Sequence, residues 1–260
     1  NTLIYELPDK GKFLSVVPGA KHLYNDHVCA PVTLHNLQLL RYLGLPVIPP
    51  MTESTYDWPI MKPWRVRDHQ RVMANFMALH PRCFNLSDMG TMKTLAALWA
   101  ADYLMLQQPM RCLIVATLST LQRVWADAIF QNFLGRRTAV VLHGSADKRR
   151  ELLAQYHDFY IINYDGLAVG APTAPRHPAR GLYADLEQRA DIRMVLIDEA
   201  SAYRDATTRR HRVARRLLGK RDYLWLMTGT PTPNGPTDAY GLAKLLNNAW
   251  GETFTSYKSR

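Results

Sequence analysis

FNLSDMGTMKTLAALWAADYL, residues 84–104, decides how the rest of the chain is read. A short apolar run stops at a turn over 87–90, and Lys93-Thr94 then opens a segment with helical spacing. A phosphate site needs backbone N–H groups converging at a helix N-terminus, a lysine and a hydroxyl. Gly90 permits the unusual turn, Lys93 can reach β- and γ-phosphates, and Thr94 can ligand Mg²⁺. Ser87 and Met92 depart from the pattern, since both stand where the usual spacing has glycine. Leu95, Leu98, Trp99, Tyr103 and Leu106 recur at helical period and read as core. Taken alone, the stretch is equally a plain strand–turn–helix carrying an exposed lysine.

Outward from this stretch, from about residue 63, apolar strands alternate with amphipathic helices. The strand candidates are CFNLS (83–87), RCLIVAT (111–117), TAVVLH (138–143), FYIIN (159–163), IRMVLID (192–198) and DYLWLMT (222–228). Helical segments fall near 94–107, 120–132, 146–157, 207–218 and 236–248. The alternation implies an α/β fold, a mostly parallel sheet flanked by helices on both faces. In such sheets ligands gather where strands end at their carboxyl edge. Residues 1–60 read as an accessory segment, punctuated by Pro18, Gly44, Pro46, Pro49, Pro50 and Pro59, with a helix near 34–43 and a linker in PVIPPMTESTYDWP. Residues 61–260 read as the main lobe, interrupted by a Pro/Ala/Arg-rich loop at 168–183.

At 260 residues and 47% hydrophobic content, the chain can bury one large core or two small ones. A formal charge of +10 favours a polyanionic partner, most simply nucleic acid, although a merely basic protein has the same composition. Cys29, Cys83 and Cys112 form no CxxC pair and suggest an intracellular, reducing compartment, cytoplasm or nucleus. His22, His27, Cys29 and His35 match no familiar zinc spacing. No apolar run reaches the ~18 residues that span a bilayer, and no secretory signal is visible. A chain that starts at Asn1 and not Met is expected to be trimmed or incomplete at that end.

Two further stretches carry chemistry. MVLIDEAS places Asp198 and Glu199 directly after a buried apolar strand. A carboxylate there can hold Mg²⁺, usually through water, while its neighbour polarises an attacking water. The bland alternative is a solvated strand end with two acids. DYLWLMTGTPTPNG then ends a strand with Thr228, Gly229 and Thr230, small groups suited to a hydrogen-bonding relay beside a phosphate site; an ordinary Gly-Pro turn reads the same way.

With these motifs in order, residues 63–258 resemble the superfamily 2 helicase-like motors, particularly the Swi/Snf-type DNA translocases. VRDHQ (66–70) resembles their adenine-reading element, which puts Arg67 and Gln70 against the base. DMGTMKT is similar to their DMGLGKT loop, so Asp88, Met89, Gly90, Thr91, Met92, Lys93 and Thr94 would bind ATP. LIVATLSTLQRVWADAI (113–129) is similar to LIVCPLSLLxxWxxE, with Thr117 in place of proline. VVLHGSADKRREL (140–152) and IINYDGL (161–167) resemble the HG and TTYE elements. DEASAYRDATT resembles DEAHRIKNxxS with Ser201 for histidine, and LMTGTPTPN resembles LLTGTPLQN with Asn234 retained.

The resemblance implies a RecA-like three-layer lobe using ATP and Mg²⁺, with Lys93, Asp198 and Glu199 catalytic, Thr94 and Asp198 holding the metal, and Thr228, Gly229 and Thr230 coupling hydrolysis to movement. It implies duplex DNA, contacted through its backbone by Ser119, Thr120, His143, Gly144, Asn163, Tyr164 and Asn234. It also implies that this is the first of two lobes. The arginines of the absent second lobe stabilise the phosphoryl-transfer transition state, and their loss typically costs about 10³–10⁵ in rate, so the chain alone is expected to hydrolyse little. The run 204–221, with eight Lys/Arg against one Asp, reads either as a DNA-tracking surface or as a solvated helix face. The rival readings are the motor lobe of a restriction or RNA helicase, and a non-catalytic nucleic-acid-binding module whose nucleotide site has decayed at Met92 and Ser201.

Overall fold

The computed structural model describes residues 2–173, 177–247, 251 and 253–259. Residues 174–176 of the Pro/Ala/Arg-rich loop and residue 248, the end of the last helix expected from sequence, lie outside them. The elements run β1 (Thr2–Glu6), α1 (Gly11–Val16), β2 (Lys21–His22), β3 (His27–Pro31), α2 (Leu34–Tyr42), α3 (Asp68–Leu79), β4 (Arg82–Asn85) and α4 (Lys93–Gln107). They continue through β5 (Arg111–Ala116), a π-helical turn (Leu121–Ala126), α5 (Asp127–Phe133), β6 (Ala139–Val141), α6 (Ala146–Ala154), β7 (Phe159–Asn163), α7 (Tyr164–Leu167) and α8 (Gly181–Gln188). The last are β8 (Ile192–Ile197), α9 (Arg209–Leu218), β9 (Tyr223–Met227), α10 (Ala239–Leu246) and α11 (Phe254–Lys258).

All six expected strands form, in one sheet of order β4-β9-β8-β5-β7-β6 with every described pair parallel. Side chains divide with period 2. Cys112, Ile114 and Ala116 of β5 and Trp225 and Met227 of β9 pack on one face with α3, α4 and α5. Leu113, Val115, Leu224 and Leu226 pack on the other with α8, α9 and α10. The helix faces follow from handedness: connections running toward β6 (through α4 and α5) lie on the first face, and connections running back toward β4 (through α6, α8 and α9) on the second. A right-handed crossover permits only that distribution. Since all six strands point the same way, their carboxyl ends share one edge of the lobe, where the motifs lie.

The N-terminal region holds more order than its proline content suggests. β1, β3 and β2 form a three-stranded antiparallel sheet with its own apolar cluster around Phe13, Val28, Leu37 and Leu40. The stretch at 46–59 that reads as a linker is packed into the main core through Met51, Tyr56 and Trp58. Trp58 meets Trp99 of α4 edge to face at 5.5 Å, and the Trp99 indole donates to the Pro59 carbonyl at 2.7 Å. Tyr56 donates to Asp102 at 2.7 Å. Asp102, fully buried in the middle of α4, is also held by Arg136 and by Arg137, whose Nε lies 2.6 Å from Oδ1. A buried carboxylate needs such partners, because alone its desolvation costs several kcal/mol.

Candidate functional site

α4 begins abruptly. Met92 takes the left-handed conformation (φ 58°, ψ 37°) and offers no side-chain cap, so the first-turn N–H groups of the helix are left for another acceptor. Gly90 is also left-handed at φ 79°, with open space where a Cβ would stand. The loop therefore keeps the backbone shape that glycine favours although methionine occupies the position. The Met92 side chain is 45% exposed and does not fold into the core. Lys93 is buried and its ammonium donates to the Ser87 carbonyl at 3.3 Å, across the mouth of the loop. Thr91 closes the turn through its hydroxyl, 2.8 Å from the Asp88 carbonyl, while Asp88 and Met89 are exposed and Thr94 is half-buried on the first turn of the helix.

Asp198 and Glu199 leave the end of β8 two strands away, and β9 lies between them and the loop. The Asp198 carboxylate accepts from the Trp125 indole at 3.0 Å and from its neighbour's amide, Glu199 N, at 3.0 Å. Burial pushes its carboxyl above the ordinary value, opposed by those two hydrogen bonds and by the Lys93 ammonium. A carboxylate so desolvated favours a nearby cation. Glu199 is itself left-handed (φ 46°, ψ 52°), a strained backbone for a residue with a side chain. From β9, Thr228 donates its amide to the Asn85 carbonyl at 3.1 Å and receives Thr230 N on its hydroxyl at 3.1 Å. Gly229 lies against the loop: a Cβ there would come within 3.6 Å of Met89 N and Ser87 O.

The donor set fits Mg²⁺. Thr94 and one buried carboxylate, Asp198, supply few oxygen ligands, as expected of an ion that keeps waters and binds substrate phosphates. Among the described residues no group of three or more His, Cys, Asp or Glu could form a closed metal cage. Gln70 is buried at the start of α3 and its Oε1 accepts the Arg67 amide at 2.9 Å, which leaves its amide nitrogen to donate elsewhere; the Arg67 side chain is exposed.

The seven residues expected along DNA sit at the carboxyl ends of four strands. Ser119 and Thr120 follow β5, and Thr120 Oγ1 pairs with Thr117 Oγ1 at 2.9 Å. His143 and Gly144 follow β6 and are exposed, Asn163 ends β7, and Asn234 lies exposed beyond β9. Tyr164 turns inward: its hydroxyl donates to the Asp198 carbonyl at 2.6 Å, linking this row to the acid pair. Burial, then the Asp198 and Glu199 charges, raise its phenol above the ordinary value and keep that donor protonated. Trp125 lies inside the 113–129 element quoted from sequence, where it was given no role; its bond to Asp198 is the contact that reading missed.

The basic run at 204–221 divides on folding. Arg221 donates to the carbonyls of Leu186, Arg189 and Ile192; Arg210 pairs with Asp165 and Arg216 with Glu187. These cations hold α9 and its neighbours together. Arg209 and Arg212 border a groove of about 370 Å³ with Thr173 and Tyr183.

Fold and site together define a RecA-like α/β lobe carrying the helicase-type elements in their usual order. Residues 69–260 match the model of the SNF2-related domain, and the chain belongs to that family. A curated relative, protein p41 of Acyrthosiphon pisum secondary endosymbiont phage 1, is 26% identical over 211 residues, covering 77% of this chain and 43% of its own. The Sulfolobus solfataricus SWI2/SNF2 ATPase core in complex with dsDNA superposes with a TM-score of 0.62 at 20% identity, covering 77% of this chain and 40% of that one. The same core domain in a second structure gives 0.58 at 20% identity, with 82% and 42% covered. The chain thus spans less than half the length of these proteins. Among the described residues no helix is long and apolar enough to cross a membrane.

Proposed function

We propose that the chain is the ATP-binding lobe of a DNA-dependent ATPase that translocates along duplex DNA, active when a second RecA-like lobe closes on it. The observation that carries this reading is the meeting of the Lys93 loop, Gly229 and the Asp198-Glu199 pair at the carboxyl ends of three adjacent strands, β4, β9 and β8. Membership of the SNF2-related family supports it, as does the dsDNA bound to the Sulfolobus core.

In this reading the first-turn N–H groups of α4 and the Lys93 ammonium bind the β- and γ-phosphates of ATP. Thr94 and, through water, Asp198 hold Mg²⁺, which when bound neutralises charge on the phosphate oxygens. Glu199 orients the attacking water and accepts its proton. Trp125 and Tyr164 fix the Asp198-Glu199 backbone and carboxylate from the side. Thr228 and Gly229 rest on the phosphate loop, so a change of charge at the γ-phosphate is felt at the turn that leads to Asn234. Ser119, Thr120, His143, Gly144, Asn163 and Asn234 meet DNA phosphates, which gives position and salt dependence, not sequence readout.

The test uses the full-length protein with both lobes. Lys93→Ala is expected to lose ATP-analogue binding, and Glu199→Gln to bind the analogue but not hydrolyse. Analogue binding at unchanged affinity in the Lys93 variant sinks the nucleotide-site reading. Stimulation of hydrolysis by duplex RNA in place of duplex DNA would move the protein to the RNA-helicase class. The decayed-module alternative requires Met92 to block the loop; its left-handed backbone and exposed side chain argue for an open one.

A further inference from the structure

Arg149, on the first turns of α6, is engaged by two strand ends at once. Its Nε donates to the Gly144 carbonyl at 3.0 Å, beyond β6, and its Nη1 donates to Asn163 Oδ1 at 3.1 Å, at the end of β7. A guanidinium has donors only, so the atom of the Asn163 amide facing it must be the oxygen. The Asn163 NH₂ is thereby aimed away from Arg149. Gly166 completes the arrangement: a Cβ there would stand 2.1 Å from Arg149 Nη1 and 2.6 Å from Asn163 Oδ1. Its φ is not left-handed, so the glycine is explained by this close approach and not by backbone conformation.

We propose that Arg149 is a positioning residue for DNA, joining the 143–144 and 163–166 turns into one ledge and orienting the Asn163 amide to donate to a backbone phosphate. The inference rests on the DNA-binding reading above. It adds a reason why Arg149 and Gly166, neither of which that reading places on DNA, control affinity. A lysine in place of Arg149 keeps the charge but lacks the planar fork that reaches two acceptors.

The test is duplex-DNA affinity of the full-length protein by fluorescence anisotropy at two salt concentrations, with thermal melting of each variant alongside. Arg149→Lys, Gly166→Ala and Asn163→Asp are each expected to weaken binding roughly tenfold or more, the scale of a charge-assisted hydrogen bond. The Arg149→Lys/Gly166→Ala double variant is expected to be no weaker than the worse single, because both act through one contact. Asn163→Asp retains an acceptor for Arg149 and replaces the outward donor with a charged oxygen that repels phosphate, so it stays informative should Gly166→Ala fail to fold. Full affinity with Arg149→Lys overturns the inference while leaving the DNA reading intact; unchanged affinity for Asn163→Asp overturns it and also removes Asn163 from the residues that reading places on DNA. Failure of the unsubstituted protein to bind duplex DNA overturns both.

Discussion

Methionine at a left-handed position makes the loop before Lys93 a direct test of the backbone argument. At φ 58° and ψ 37°, the Met92 Cβ crowds the following carbonyl. Such a conformation costs an L-residue roughly 1–2 kcal/mol. Glycine escapes that clash but loses about 0.5–1 kcal/mol of extra chain entropy on folding. Met92→Ala and Met92→Gly both remove the half-exposed thioether beyond Cβ, so the loss of its packing cancels between them. The difference isolates the backbone. It comes to roughly 0.75 kcal/mol in favour of glycine, the difference between the mid-values of those two terms. For a chain of about this size 1 kcal/mol moves Tm by about 2–4 °C, so the glycine variant should melt about 1.5–3 °C above the alanine variant. Urea denaturation and calorimetry of the two, without nucleotide and in one buffer, measure it. Equal stability, or alanine above glycine, would refute the left-handed assignment and with it the claim that the loop keeps the backbone shape glycine favours.

Three other outcomes are expected. Asp102→Ala strips partners from Tyr56, Arg136 and Arg137 in a buried setting, and should cost about 3–5 kcal/mol in urea denaturation; a loss below about 1 kcal/mol would mean the cluster is not an interdependent unit. Trp125→Phe removes a hydrogen bond that lowers the Asp198 carboxyl, so the acidic limb of the full-length protein's ATPase pH profile should move to higher pH; an unmoved limb would separate Trp125 from the acid. His211, buried and bonded to the Gly241 carbonyl at 2.8 Å, has its pKa lowered mainly by burial, helped by Arg215 and Lys244 and opposed by that bond and Asp205. Its contribution to stability is present above the unfolded value of about 6.5 and is lost as pH falls through the lower folded value. His211→Gln should therefore flatten the fall of Tm below about pH 6.5, and parallel curves for the two proteins would count against it.

The central sheet was legible because parallel strands buried on both faces read as unbroken apolar runs, as RCLIVA and IRMVLI do. The N-terminal sheet was not. β2 has two residues and β1 finds its partner some two dozen residues away in β3, beyond any local period. Composition also misled at 46–59: prolines report that the backbone avoids regular structure, not whether Tyr56 and Trp58 are buried. The helices α3 and α8 went unassigned, the first because its opening turn was taken up as a motif and the second because it follows directly on the proline-rich loop. Of the candidate site, each motif's place at a strand end followed from sequence, since strand ends are where apolar runs stop. The cross-connections did not. Trp125 reaches Asp198 across 73 residues and Arg149 reaches Asn163 across 14, pairings set by sheet order and helix placement. Met92 read in sequence as a departure from the glycine of the usual spacing, and the structure gives it the left-handed backbone that glycine favours.

The π-helical turn at Leu121–Ala126 bears on how this chain should be compared with its relatives. Such a turn accommodates one residue more than an α-helical turn would. Excising a single residue from it would let the turn close as α-helix and leave the segments on either side near their present orientation, since the π turn is what absorbs the extra residue. When this chain is aligned with a relative that is shorter by one residue here, the gap belongs inside 121–126 and not in the flanking loops.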